Sequence, residues 1–147
     1  MAASAALAAA STGFAQNGPE TATPRAEVDL MTDMVPISGY APVNGLEMYY
    51  EIHGVGEPLL LMHGAYGTID LWGPVLETLA QNHQVIAIEP QGHGHTADID
   101  RPIRYETMTD DAAALLKHLD VAQADVVGFS LGGGVALPLA MRYPELV

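Results

Sequence analysis

From residue 37 onward the apolar positions follow two rhythms, and the switches between them divide the chain into elements. Ile37 to Val43 and Leu46 to Ile52 alternate loosely in polarity and flank Asn44-Gly45. That dipeptide favours positive φ at both central positions of a tight turn, so the pair predicts a β-hairpin. Pro58-Leu59-Leu60-Leu61-Met62 and Val85-Ile86-Ala87-Ile88 are continuous apolar runs, the pattern of strands buried on both faces. Ala124-Asp125-Val126-Val127 is a short, largely apolar stretch rich in β-branched residues and predicts a further strand. Between them the spacing becomes helical. Leu71, Val75, Leu76 and Leu79 predict a helix over 69–81, with Gly73-Pro74 near its start. Met108, Ala112, Leu115, Leu116 and Leu119 share one face of a helix over 105–119, and a last helix runs from Leu131 to about Tyr143. Pro138 lies inside that last helix, where a missing N–H and a ring clash cost about 3 kcal/mol unless the helix adjusts.

A hairpin followed by three strand–helix units predicts an α/β fold. Its sheet should be mostly parallel, with helices on both faces. In such sheets ligands meet the loops at the carboxyl ends of the strands. Three of those loops carry unusual residues: His63-Gly64-Ala65-Tyr66-Gly67, Glu89-Pro90-Gln91-Gly92-His93-Gly94-His95-Thr96, and Gly128-Phe129-Ser130-Leu131-Gly132. The last spells G-x-S-x-G between a short β-branched run and the small-residue opening of a helix. Strand, sharp turn and helix form the setting in which a turn lifts a serine Oγ above a sheet edge, so Ser130 is the candidate nucleophile. Gly128 and Gly132 leave room for the turn and for close strand–helix packing.

The three motifs together, in this order and spacing, resemble the α/β-hydrolase superfamily, from about Ile37 to Val147. The resemblance implies that Ser130 attacks a carbonyl and that the backbone N–H groups of Leu131 and Ala65 hold the resulting oxyanion. His63 and Gly64 would then support the oxyanion loop. Relatives with aspartate at the nucleophile cleave carbon–halogen bonds or epoxides, so a serine favours acyl transfer through an ester-like intermediate. The expected function is that of a serine hydrolase on small, uncharged, ester-like substrates. The motifs do not separate an esterase from a carbon–carbon hydrolase or a cofactor-free peroxidase. The loop that many relatives write as D-x-R-G-x-G-x-S departs here, with Glu89, Gln91 and Thr96 in place of Asp, Arg and Ser, which puts the salt bridge of that loop in doubt.

The superfamily orders its triad as nucleophile, acid, histidine. Only residues 131–147 follow Ser130, and they hold one carboxylate, Glu145, and no histidine. The expectation is therefore the N-terminal part of such a fold, lacking its C-terminal strands. The acid and base would lie outside the chain, the 124–127 strand would form an open edge, and Leu137, Leu139, Met141 and Leu146 would be incompletely covered. The rival is a non-catalytic remnant, or a protein that binds a small ligand in the same crevice. Upstream, His93 is expected to pack its loop, His95 to be exposed, His63 to be structural, and His53, His83 and His118 to sit in turns or on the surface. His93-Gly94-His95 with Asp98 lacks the spacing of a zinc site, so neither metal nor cofactor is expected.

Charge and the N-terminus add the remainder. Eighteen acidic residues against five basic give a net charge of −13, a field that repels nucleic acid and anionic lipid and leaves a small molecule as the expected partner. With no cysteine, disulfides and thiolate chemistry are excluded. Ala2 to Ala10 is almost wholly alanine and leucine, and Gly13-Phe14-Ala15 follows. This predicts a signal peptide over 1–15, a flexible linker over 16–35, and a periplasmic or secreted protein, although no Lys or Arg precedes the apolar run.

Overall fold

The computed structural model describes residues 35–147. The expected signal peptide, and all of the expected linker but Val35, lie outside the described residues. Strands β1 (Ile37–Val43) and β2 (Leu46–His53) form the hairpin, in register from Ile37 opposite Ile52 to Val43 opposite Leu46. Asn44 and Gly45 have φ of 48° and 86°, as the sequence requires of that turn.

Strand β3 (Glu57–Met62) lies between β4 (His83–Ile88) and β5 (Asp125–Gly128) and is parallel to both. β2 pairs antiparallel with β4. The hairpin is thus continuous with the parallel strands in one mixed sheet of order β1-β2-β4-β3-β5. β5 is an edge, as expected, and Val127 on it is partly exposed.

The continuous apolar strands serve two faces by simple alternation. Leu59 and Leu61 of β3, with Val85 and Ala87 of β4, pack against Ile69 and against Leu76 and Ala80 of helix α1 (Pro74–Ala80). Leu60, Met62, Ile86 and Ile88 face the other way. They meet Met108, Ala112, Leu115 and Leu116 of α2 (Tyr105–His118) and Val135 and Leu139 of α3 (Leu131–Arg142).

Three expectations change. The helix over 69–81 is broken. Residues Ile69–Trp72 form a 3-10 turn, Gly73 adopts φ 44° and ψ −128°, and α1 starts at Pro74. Proline lacks an N–H and disfavours helical backbone in the residue before it, so it starts a helix well and continues one badly. Secondly, Leu139 and Leu146 are buried, whereas Leu137 and Met141 are exposed. Leu139 shares the sheet-facing side of α3 with Val135, and the Leu146 carbonyl accepts the Ala124 N–H at 2.9 Å, which draws the terminal residues onto the core. His53 and His83 are the terminal residues of β2 and β4 rather than turn residues. As the sequence predicts, α3 runs from Leu131 through Pro138 to Arg142.

Stability should follow these two faces. Leu60→Ala, at a fully buried position, is expected to cost about 2–5 kcal/mol, and Leu137→Ala less than about 0.5 kcal/mol. Urea unfolding of the two variants checks this, and equal losses would mean that the sheet-facing core is misassigned.

Candidate functional site

The G-x-S-x-G segment forms a sharp turn from β5 into α3, with Ser130 at its apex as the helix N-cap. Ser130 has φ 51° and ψ −109°, a conformation costing about 1–3 kcal/mol that persists only where neighbours impose it. The neighbours are backbone groups. The Phe129 N–H donates to the Met62 carbonyl at 2.9 Å, and the Gly132 N–H reaches the His63 carbonyl at 3.1 Å. A Cβ on Gly132 would collide with the Met62 carbonyl, and one on Gly128 with the Gly132 carbonyl. The two flanking glycines are therefore required by close backbone approach, and the serine alone carries the strained dihedrals. Ser130 is exposed, and its Oγ has no hydrogen-bond partner among the described residues.

The loop after β3 lies against this turn. A Cβ on Gly64 would come 3.0 Å from the Phe129 ring and 3.4 Å from Ser130 Cβ. The Gly64 carbonyl accepts the Gly67 N–H at 3.1 Å and the His63 Nδ1–H at 2.8 Å, which curls residues 64–67 into a tight turn. Within it Tyr66 has φ 62° and a fully exposed ring. The N–H groups of Ala65 and Leu131 have no acceptor among the described residues. They belong to the two segments that meet at Gly64 and Ser130.

His63 is buried, its Nδ1 bonded to the chain, and its Nε2 has no partner among the described residues. Burial pushes its pKa down, as does nearby His93, against the raising effect of the Gly64 carbonyl and of Glu89. Burial thus favours the neutral form of this imidazole, whose Nδ1 is committed to the turn of the same loop.

The third loop replaces the expected aspartate–arginine arrangement with a different one. The buried carboxylate of Glu89 accepts the Ile69 N–H at 3.1 Å, the His95 N–H, and His95 Nδ1–H at 3.0 Å. Gln91 is buried and takes Arg101 Nη2 at 2.7 Å on its Oε1, while its Nε2 donates to Asp98 Oδ1 at 2.7 Å. Arg101 in turn grips the fully buried Asp111 of α2 through both Nη atoms, at 3.1 and 2.7 Å. The positive charge that Gln91 lacks is supplied from ten residues later. Thr96 donates to the Glu89 carbonyl at 2.7 Å and accepts the Tyr49 N–H at 2.9 Å, tying the loop to β2. His93 donates Nδ1–H to the Gln91 carbonyl at 2.9 Å and stands 5.5 Å from His63, ring to ring. His95 is exposed as expected. It is nevertheless anchored by Glu89 and stacked at 4.4 Å on Tyr49.

The structure thus brings together Ser130, Leu131, Gly128 and Gly132 with His63, Gly64 and Ala65. His93 packs beside them, and His53, His83 and His118 lie elsewhere. Arg101 and Asp111 went unnoticed in the sequence because neither belongs to a motif. Among the described residues no cluster of three or more His, Asp or Glu side chains is arranged to hold a metal.

The fold recurs in known proteins. Residues 57–147 match the family model described as the alpha/beta hydrolase fold. A 2-hydroxymuconate semialdehyde hydrolase of Pseudomonas sp. (strain CF600) is 38% identical over 98 residues, covering 64% of this chain and 35% of that protein. The enol-lactonase from Burkholderia xenovorans LB400 superposes with a TM-score of 0.71 at 29% identity, covering 74% of this chain and 43% of that one. The epoxide hydrolase CorEH superposes with a TM-score of 0.74 at 32% identity, over 77% and 40%. The chain thus spans between 35% and 43% of the length of these relatives.

The depressed His63 pKa has a stability consequence of definite sign. Unfolded His63 takes up a proton near its ordinary value of 6.5, and folded His63 only at lower pH. Its contribution is complete above about pH 6.5 and is lost as the pH falls below that, by at most ~1.4 kcal/mol per pH unit. His63→Asn keeps a donor for the Gly64 carbonyl, and the drop in urea midpoint from pH 7.5 to 5.5 is expected to be smaller in this variant. An unchanged pH slope would remove His63 as the responsible group.

Proposed function

This chain belongs to the α/β-hydrolase family, and on that premise we propose that Ser130 is the nucleophile of a serine hydrolase acting on small, uncharged, ester-like substrates. The observation that carries the proposal is the backbone of Ser130 itself. Strained dihedrals at one exposed serine, held by close-packed backbone on both sides, are the form that an attacking hydroxyl requires.

In this reading Ser130 Oγ adds to the substrate carbonyl carbon and gives its proton to a general base. The oxygen that becomes negative accepts from the Leu131 and Ala65 N–H groups. Each such donor contributes about 2.7–4 kcal/mol to the transition state. The N-terminus of α3, which begins at Leu131, adds its positive dipole end to the same place. The alkoxide leaves with a proton, and water then releases the acyl group from Ser130. A net charge of −13 favours a neutral substrate over an anionic one. The similarity to an enol-lactonase supports acyl chemistry, because a lactone is a cyclic ester. The similarity to an epoxide hydrolase is not carried over, since family members that open epoxides attack with aspartate where this chain has Ser130.

Activation is the step that distinguishes an enzyme from a ligand-binding relative of the same fold. Among the described residues Ser130 Oγ contacts no base, and His93 and His95 have their Nδ1 atoms engaged by Gln91 and Glu89. The base and acid are assigned to the part of such a hydrolase that these residues do not span.

Two outcomes are expected. A fluorophosphonate probe applied to the protein from its natural source should label the peptide containing Ser130, and Ser130→Ala should abolish labelling; retained labelling would mean that another serine is the nucleophile. The 147-residue chain should hydrolyse p-nitrophenyl acetate no faster than its Ser130→Ala variant. A rate that depends on Ser130 and is lost in His93→Ala would make an upstream histidine the base and overturn that assignment.

A further inference from the structure

A carboxylate taken out of water must be met by donors, and the donors show what it holds in place. Glu89 directly follows β4 and is 1% exposed. Its Oε1 accepts the Ile69 N–H at 3.1 Å, and its Oε2 accepts the His95 N–H and the His95 Nδ1–H. A Cβ on Gly94 would collide with the carboxylate, so the loop over 90–96 closes around it. The backbone of Glu89 is fixed as well. Its N–H donates to the Tyr49 carbonyl at 3.1 Å, and its carbonyl accepts the Thr96 hydroxyl at 2.7 Å. All of these partners lie within residues 49–96, so nothing beyond this chain is needed to bury Glu89.

The segment that carries Ala65 has few such anchors. Its start is set by β3 and by the His63 carbonyl, which accepts the Gly132 N–H. From Gly64 onward its hydrogen bonds among the described residues are local, with the Gly67 N–H and the His63 Nδ1–H both directed to the Gly64 carbonyl. The next bond to a distant element is that of the Ile69 N–H to Glu89. Thr68 alone separates the 64–67 turn from it, and Thr68 is extended, with φ −136° and ψ 177°. A shift of Ile69 is therefore passed to the turn with little slack.

We propose that Glu89 is a positioning residue: by holding Ile69 it fixes the exit of the loop and so places the Ala65 N–H relative to Ser130. The role rests on the serine-hydrolase reading and deepens it, and it depends on the length of the side chain as well as on its charge. Aspartate would draw the carboxylate back by about 1.5 Å, one carbon–carbon bond, and take Ile69 out of hydrogen-bond range. His95 can follow, because its loop springs from Glu89 itself, whereas Ile69 belongs to another element. An oxyanion exists in the transition state and not in the bound substrate, so the loss belongs in kcat rather than in KM. A misplacement of about 1 Å in such a group costs up to about a hundredfold.

The test uses the protein from its natural source, with substitutions placed in the chromosomal gene. Hydrolysis of p-nitrophenyl acetate and amide hydrogen exchange are measured well below the melting temperature of each variant. Glu89→Asp should lower kcat at least tenfold, change KM less than threefold, and speed exchange across 64–69 at least tenfold. Ile69→Pro removes the donor instead of the acceptor, at a position whose preceding residue is already extended as proline requires. It should lower kcat to a similar extent, and adding Glu89→Asp to it should cost less than a further twofold. His95→Ala removes the exposed partner of the same carboxylate and should leave kcat within twofold. Unchanged exchange over 64–69 in Glu89→Asp overturns the role, as does faster exchange with kcat intact, or a loss confined to KM. Additive losses in the double variant overturn it too. Hydrolysis that is absent in the unsubstituted protein, or that survives Ser130→Ala, removes the serine reading itself and this role with it.

Discussion

Everything at the site depends on two carbonyl groups at the end of β3. The Met62 carbonyl accepts the Phe129 N–H, and the His63 carbonyl accepts the Gly132 N–H. These bonds hold the serine turn by its two shoulders against a strand buried on both faces, so the strain at Ser130 is opposed by the most rigid part of the sheet. They also fix spacing. The residues that accept these bonds run directly into Gly64 and Ala65, so the strand that positions the serine is the one that launches the facing loop. The candidate nucleophile and the proposed oxyanion donors are thereby set by one stretch of chain.

The third loop shows how a fold preserves geometry while changing its polar parts. Glu89 carries a longer arm than aspartate, and it uses it to reach the N–H of Ile69 at the entrance of the 3-10 turn. Gln91 cannot form an ion pair with Asp111. It instead joins Arg101 to Asp98, and Arg101 completes the charge pair with Asp111. A buried carboxylate stripped of its cation costs about 3–5 kcal/mol, so Arg101 and Asp111 are bound to each other's presence. The Asn44 amide also reaches Asp111 at 3.0 Å, and this draws the hairpin turn into the same network.

Much of this was legible from local rules. The strands were readable because burial on both faces leaves only apolar residues, and the hairpin because Asn-Gly has few other uses. Ser130, Gly128 and Gly132 were readable because their spacing is dictated by backbone collision rather than by taste in side chains. What was hidden depends on partners distant in sequence. Periodicity could not show the break at Gly73, since apolar residues keep helical spacing across it while Pro74 alone enforces the interruption. Burial of Leu146 comes from a backbone bond to Ala124, and no composition signals that. The exposure of Leu71 and Val75 was equally invisible. Leu71 and Val75 read as ordinary core positions on a helix, whereas in the structure they stand on either side of the break and face outward.

The sign of φ at Ser130 also limits what this protein lineage can become. A left-handed backbone tolerates side chains with a single heavy atom or a planar group beyond Cβ, and it penalises branching at Cβ. Serine, cysteine and aspartate can therefore exchange at the apex without rebuilding the turn, while threonine, chemically nearest to serine, is shut out by sterics. Hydroxyl, thiol and carboxylate chemistry can thus stand at the same point of one scaffold. The conformation acts as a filter on evolutionary routes, admitting changes of reaction type and barring the substitution that would preserve it.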